Sequence, residues 1–181
     1  MSSIRTVASP TQPNAPPVSG AHPAAPEPCL HIRTAFNFEV HASYEETAPL
    51  FGPEGERAWV GPHWDPVFIY PEPAQDIEGA VFTVRRGPNL EVWVNTLFSL
   101  DKRHFQYVYF VADLSVAVVD LRFEPAGTDL TKVDVVFTRT AVSPRGNESV
   151  TAMSEMDRTA PGRWHQAIDE YLASRKTSEP D

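Results

Sequence analysis

The chain of 181 residues contains a single cysteine, Cys29. It can form neither an intramolecular disulfide nor a cysteine-ligated zinc site, which fits a reducing compartment. Basic clusters are also missing, since no Lys/Arg run exceeds a pair such as Arg85 and Arg86 and the formal net charge is -9. Such a surface repels a phosphate backbone, which excludes nucleic acid and anionic membranes as favoured partners. No stretch approaches the roughly 20 apolar residues of a membrane span; the richest, Tyr107 to Ala112, is closed by Asp113. None of the six histidines stands in a His-x-x-x-His spacing and no Cys-x-x-Cys occurs, so neither a metal site nor a cofactor is predicted. A Gly-x-Ser-x-Gly elbow is absent, which leaves a Ser-His-Asp hydrolase unsupported. No catalytic motif names a reaction, and no catalytic residue is assigned.

Aromatic residues are plentiful: ten Phe, five Tyr and four Trp in a chain that is 41% hydrophobic and 22% charged. That composition describes one globular domain with material for a sizeable core. Residues 1–28 stand apart, because seven prolines from Pro10 to Pro28 punctuate a Ser/Ala-rich stretch with almost no large apolar side chains. Such a segment buries too little surface to offset its ordering entropy and is read as a disordered tail. Arg5 and Thr6 break up Ile4 to Ala8 before Pro10 stops it, so it does not form the apolar core of a secretory signal, and a cytoplasmic location is expected. The Pro-x-x-Pro spacings at Pro10, Pro13 and Pro16 are short matches to which no function is assigned. The folded domain is expected over 29–175, with a flexible C-terminus over 176–181.

Within the domain, His31 to Val40 reads as a strand with Phe36, Phe38 and Val40 on one face. Ser43 three residues before Glu46 is a capping-box spacing that starts a helix at Tyr44, and Pro49 ends it quickly. Pro53, Glu54 and Glu56 suit the start of a second short helix running to about Trp59. Period-two alternation then predicts strands at Val67–Tyr70, Ala80–Arg85, Glu91–Ser99, Phe105–Ala112, Ser115–Phe123 and Leu130–Val142. Their short connections argue for an antiparallel meander and exclude a doubly wound nucleotide fold. A terminal helix is expected from Gly146–Glu148, carrying Val150, Met153 and Met156, then Trp164, Ile168, Tyr171 and Leu172, with a kink or break at Pro161 and Gly162.

This order of elements resembles the helix-grip arrangement of the START-like, or Bet v 1-like (SRPBCC), superfamily. The detailed likeness is to bacterial members, and it lies in Phe36 to Tyr44, Pro53 to Trp59, His63-Trp64-Asp65-Pro66, Gly79 to Phe82, Val92-Trp93-Val94, Thr138 to Ala141 and Trp164 to Leu172. It implies an α+β helix-grip fold: a strongly bent antiparallel sheet wrapped around a long C-terminal helix, with two short helices after the first strand. Members include lipid and sterol carriers, hormone receptors, polyketide cyclases, ring-hydroxylase domains and co-chaperones. This chain lacks the iron-site histidines and carboxylate in any recognisable order, and lacks a Gly-rich phosphate loop. The resemblance therefore implies a cavity more strongly than a reaction.

A bent sheet gripping one helix leaves space lined by alternate strand residues, and Trp and Tyr add polar handles to apolar walls. On one register Trp93, Asn95 and Leu97 share a face, and Phe105, Tyr107, Tyr109 and Val111 share the next. The same residues also suit a solid core, the commoner use of aromatic stripes. The segment Glu56 to Asp65 places acid, base, cation and two indoles within ten positions. His63 there is a candidate to orient a polar group or move a proton, its tautomer set by Asp65 or Glu56. The structural alternative, in which Trp59 and Trp64 plug the gap between helices and sheet and Glu56 pairs with Arg57, is favoured. Arg85, Arg86, Arg122 and Arg139 read mostly as outer-face charges, Arg139 being the one able to point inward toward a ligand carboxylate. The ligand-binding set is thus Trp59, His63, Trp64, Trp93, Asn95, Tyr107, Tyr109, Arg139 and Trp164. Binding or transport of a small apolar or amphipathic molecule is the leading expectation, without stable membrane insertion and compatible with a homodimer. A cyclase or dehydratase-type enzyme using His63, Asp65 or Tyr107, and a co-chaperone-like interaction module, stay open as alternatives.

Overall fold

Strand β1 (His31–Val40) opens the domain in the computed structural model, which describes residues 27–178. Its alternate residues turn inward, with Phe38 and Val40 buried. Ser43 then caps helix α1 (Tyr44–Thr47) through a complete capping box with Glu46. A 3₁₀ turn at Ala48–Phe51 begins where Pro49 cannot continue the α-helical ladder, and a second follows at Gly55–Ala58. The start of that second turn is held by a distant side chain: the Asp76 carboxylate accepts from the backbone N–H of Glu54 at 2.9 Å and of Gly55 at 3.3 Å.

Strands β2 (Val67–Tyr70), β3 (Val81–Arg86), β4 (Asn89–Ser99), β5 (His104–Val111), β6 (Ser115–Gly127) and β7 (Leu130–Ala141) complete one seven-stranded sheet. Its order is β1-β7-β6-β5-β4-β3-β2, antiparallel at every step, so the meander closes with the first strand beside the last. Helix α2 (Pro144–Met156), a 3₁₀ turn at Asp157–Thr159 and helix α3 (Ala160–Ser178) complete the domain. The architecture is the predicted α+β helix-grip fold. Helix α3 runs past the expected domain end at 175. Residues 179–181, and 1–26 of the Pro-rich segment, lie outside the described residues.

Two local expectations are corrected. The helical break lies at 157–159, ahead of Pro161 and Gly162, because Pro161 occupies the first turn of α3, where its missing N–H costs no hydrogen bond. In β4 a bulge between Asn95 and Leu97 reverses the facing of the strand's last residues. Leu97 therefore leaves the inner face, and Phe98 turns inward to stack on Phe105 at 4.1 Å between centroids.

The helices cover only part of the sheet. Helix α3 lies on β1, and α2 lies on β7. Gly146 lets α2 approach closely: a Cβ there would stand 2.0 Å from the Leu114 carbonyl oxygen. Met153 of α2 reaches Tyr109 on β5, and side chains from the 3₁₀ turns and the adjoining loop cover much of the rest of the inner face of β3, β4 and β5.

Candidate functional site: an aromatic chamber

Trp59 and Trp64 provide that cover. The Trp59 indole N–H donates to the Leu50 carbonyl at 2.6 Å, and that of Trp64 to the Pro53 carbonyl at 2.9 Å, so both rings are buried with their polar atoms satisfied. Trp64 meets Trp93 edge to face at 5.5 Å, and Trp93 stacks on Tyr109 at 4.3 Å. Trp59 meets Trp164 of α3 edge to face at 5.6 Å. These rings stand around a chamber of about 310 Å³ rather than filling it. A wider groove of about 600 Å³ along the edge strand, lined by Ile32, Thr34, Phe36, Ser154 and Arg158, lacks comparable aromatic walls.

Of the predicted binding residues, Trp59, His63, Trp64, Trp93, Tyr107, Tyr109, Arg139 and Trp164 all line the chamber. Asn95 does not. It is fully buried beside the loop before β3, where its Nδ2 donates to the Ile77 carbonyl at 3.1 Å and its Oδ1 has no partner among the described residues. Tyr107 donates its hydroxyl to the Phe51 carbonyl at 2.6 Å, and burial raises its pKa well above the usual phenol value. That phenol is a fixed neutral donor, already engaged.

Arg139 points inward, against its reading as an outer-face charge. It is 2% exposed, forks onto Asp157 at 2.5 and 3.1 Å, and donates through Nε to the Tyr109 hydroxyl at 3.3 Å. Its carboxylate partner thus comes from the chain itself. Thr34 also donates to Asp157, so β1, β7 and the helical break are tied at one point.

The segment 56–65 also departs from expectation. Arg57 does not pair with Glu56: it bonds Glu54 at 2.9 Å and Asp65 at 2.6 Å, and reaches the Pro66 carbonyl. Asp65 is thereby taken from His63, which stands exposed at the rim and has no hydrogen-bond partner among the described residues. Glu56, half-buried, lines the chamber. Burial drives its carboxyl pKa well above the ordinary 4.5, opposed by the Arg86 charge and reinforced by Asp76. Glu91, 3% exposed, accepts from the Trp93 indole at 2.9 Å and from Arg86 at 3.1 Å.

Sequence reasoning missed Glu91 and the role of Glu56. Glu91 was accessible to it, since period-two alternation places residue 91 on the face of Trp93. Glu56 carries no such signal, because an irregular turn sets its direction. The chamber therefore has indole and phenol walls, two internally neutralised ion pairs, and one carboxyl held toward its protonated form. Its exposed lining residues, His63, Arg86, Met156 and Arg163, mark the opening.

No protein-family model and no curated relative matches the sequence. Among solved structures, norcoclaurine synthase from Thalictrum flavum is similar at 14% identity and TM-score 0.58, over 80% of this chain and 88% of that one. A structure of the same synthase in complex with dopamine and hydroxybenzaldehyde matches at TM-score 0.58 and 14% identity, over 81% and 88% of the two chains. A conserved protein from Geobacillus kaustophilus is similar at 9% identity and TM-score 0.59, over 79% and 96%. These likenesses show the fold, the helix-grip arrangement described above. No helix among the described residues is long and apolar enough to cross a membrane.

Proposed function

We propose that the protein binds or carries a small hydrophobic or amphipathic molecule in the chamber, in the cytoplasm and without stable membrane insertion. The observation that carries this reading is the 310 Å³ space itself, walled by four indoles and two phenols with a few convergent polar groups. Small-molecule sites have this character, and the volume lies at the lower end of their range of about 300–1,000 Å³. A compound of one or two rings fits such a space. Dopamine and hydroxybenzaldehyde, held by the structurally similar synthase, are of that size. The apolar body would lie against Trp93 and Tyr109, its polar end toward the rim. The chamber is complete within one chain, so a homodimer is not required.

Native mass spectrometry of protein purified from its host tests the proposal. A bound apolar species of one or two rings is expected; persistent emptiness, with no uptake of fluorescent aromatics or lipids, would overturn it.

Glu56 favours a second reading, a cyclase or dehydratase-type enzyme. A carboxyl that keeps its proton beside an apolar chamber can donate it to a bound substrate and take it back. It suits that role better than Tyr107, whose hydroxyl is committed to Phe51, or Asp65, which is committed to Arg57. The chamber counts against the co-chaperone alternative, which needs no internal space.

A further inference from the structure

On the outside of the grip, the bend that follows β1 and the second and third turns of α3 bring His41, His165 and Asp169 together. Asp169 Oδ2 stands 3.2 Å from His41 Nδ1 and 3.4 Å from His165 Nε2. One donor atom from each residue lies within 4.8 Å of the other two. The sequence spacing, searched for His-x-x-x-His, did not reveal this convergence, because one histidine comes from the bend after β1 and the carboxylate takes the i+4 position on the helix.

The hydrogen bonding around the cluster is incomplete. His165 Nδ1 lies 2.8 Å from the Glu39 carbonyl oxygen, which only accepts, so Nδ1 carries the proton. Its other ring nitrogen, Nε2, faces the Asp169 carboxylate. Asp169 Oδ1 is buried and has no partner among the described residues. Around a tetrahedral zinc ion, with bonds of about 2.0–2.2 Å to nitrogen and carboxylate oxygen, adjacent ligand atoms lie about 3.3–3.5 Å apart. The two observed nitrogen–oxygen separations, 3.2 and 3.4 Å, are close to that spacing. A backbone carbonyl holding the far nitrogen of a ligating histidine is also the usual means of orienting it.

We propose that His41, His165 and Asp169 form a surface site for a divalent first-row transition metal of the zinc type, with the remaining position open to solvent. Two imidazoles and one carboxylate suit such an ion and disfavour magnesium and calcium, which select oxygen ligands. The ion would staple α3 to the bend after β1 across 128 residues of sequence. Trp164, which lines the chamber, neighbours His165 on the same helix, so occupancy would also steady one chamber wall.

The test uses the tag-free, chelator-treated full chain, titrated calorimetrically with Zn²⁺ and followed by thermal unfolding and by the visible absorption of added Co²⁺. One equivalent is expected to bind, raising the unfolding midpoint, while Mg²⁺ gives neither effect. His41→Gln, His165→Ala and Asp169→Asn should each weaken Zn²⁺ binding at least about tenfold, the loss typical even of an outer-shell partner. The His41 side chain is 63% exposed, so His41→Gln reads binding in a chain that keeps its fold. Absence of saturable Zn²⁺ binding by the wild-type chain would overturn the proposal. So would binding that survives His41→Gln and Asp169→Asn, or that is lost only on Cys29→Ser.

Discussion

Glu56 shows how one residue's surroundings set its chemistry. Burial lifts its pKa well above 4.5, so the folded protein retains a proton that the unfolded chain releases near that pH. The folded state therefore binds more protons over the interval, and stability falls as pH rises from about 4.5 through the raised pKa. Asp76, also raised by burial, contributes a slope of the same sign. Glu56→Gln keeps the shape and removes the ionisation. It should flatten the fall and make the protein more stable than wild type at pH 8, with little change at pH 4, as read from urea midpoints across that range. Identical slopes in the two proteins would assign the proton elsewhere. At this scale the sequence was informative wherever a side chain's direction is set by strand alternation. Trp93, Tyr107 and Tyr109 were legible on that ground, and Glu91 would have been. Glu56 and His63 were not, since 3₁₀ turns and loops impose no period. Arg139 failed differently: alternation put it on one of two faces, but charge argued for the outer one until Asp157 supplied a partner.

Elements were largely legible because their signals are local. Ser43 and Glu46 specify the start of α1, and the strands recur with turn residues between them. The features that escaped were set by tertiary contact. The bulge after Asn95 has no sequence mark, and the break between α2 and α3 sits at Asp157, whose carboxylate is drawn to Arg139 on β7. That pair joins sheet to helix at the chamber wall, with side chains only 3% and 10% exposed. Arg139→Ala would strand a buried carboxylate beside Thr34 and should cost about 3–5 kcal/mol of stability. Replacing both partners by apolar residues of similar size, Arg139→Met with Asp157→Leu, should be far less costly, because neither charge is then desolvated alone. Chemical denaturation of the two variants measures the contrast. Equal destabilisation by both would mean that the hydrogen bonds to Tyr109 and Thr34, and not the charge balance, hold the break in place.

For the whole molecule, the distribution of tryptophan gives a direct optical consequence. All four tryptophans of the chain line the same chamber, two contributed by the 3₁₀ turns and the loop, one by β4 and one by α3. A helix-grip core that was merely solid would have no accessible space among them. Here a ligand entering the chamber contacts every indole, so uptake of a small aromatic should quench or shift most of the tryptophan emission. Binding should also stabilise the fold, by about 2.7 kcal/mol when free ligand reaches a hundred times its Kd. Val119, buried on β6 in the chamber wall, supplies the control. Val119→Phe narrows the space without adding or removing a polar group, and should weaken uptake about tenfold or more, a loss of at least 1.4 kcal/mol in binding. Its own fold should persist, because a larger apolar side chain entering existing space avoids the strain of overpacking a filled core. Emission that responds equally in wild type and Val119→Phe would locate the ligand outside the chamber. An unchanged spectrum in both, with the fold intact, would make the space a packing defect instead of a binding site.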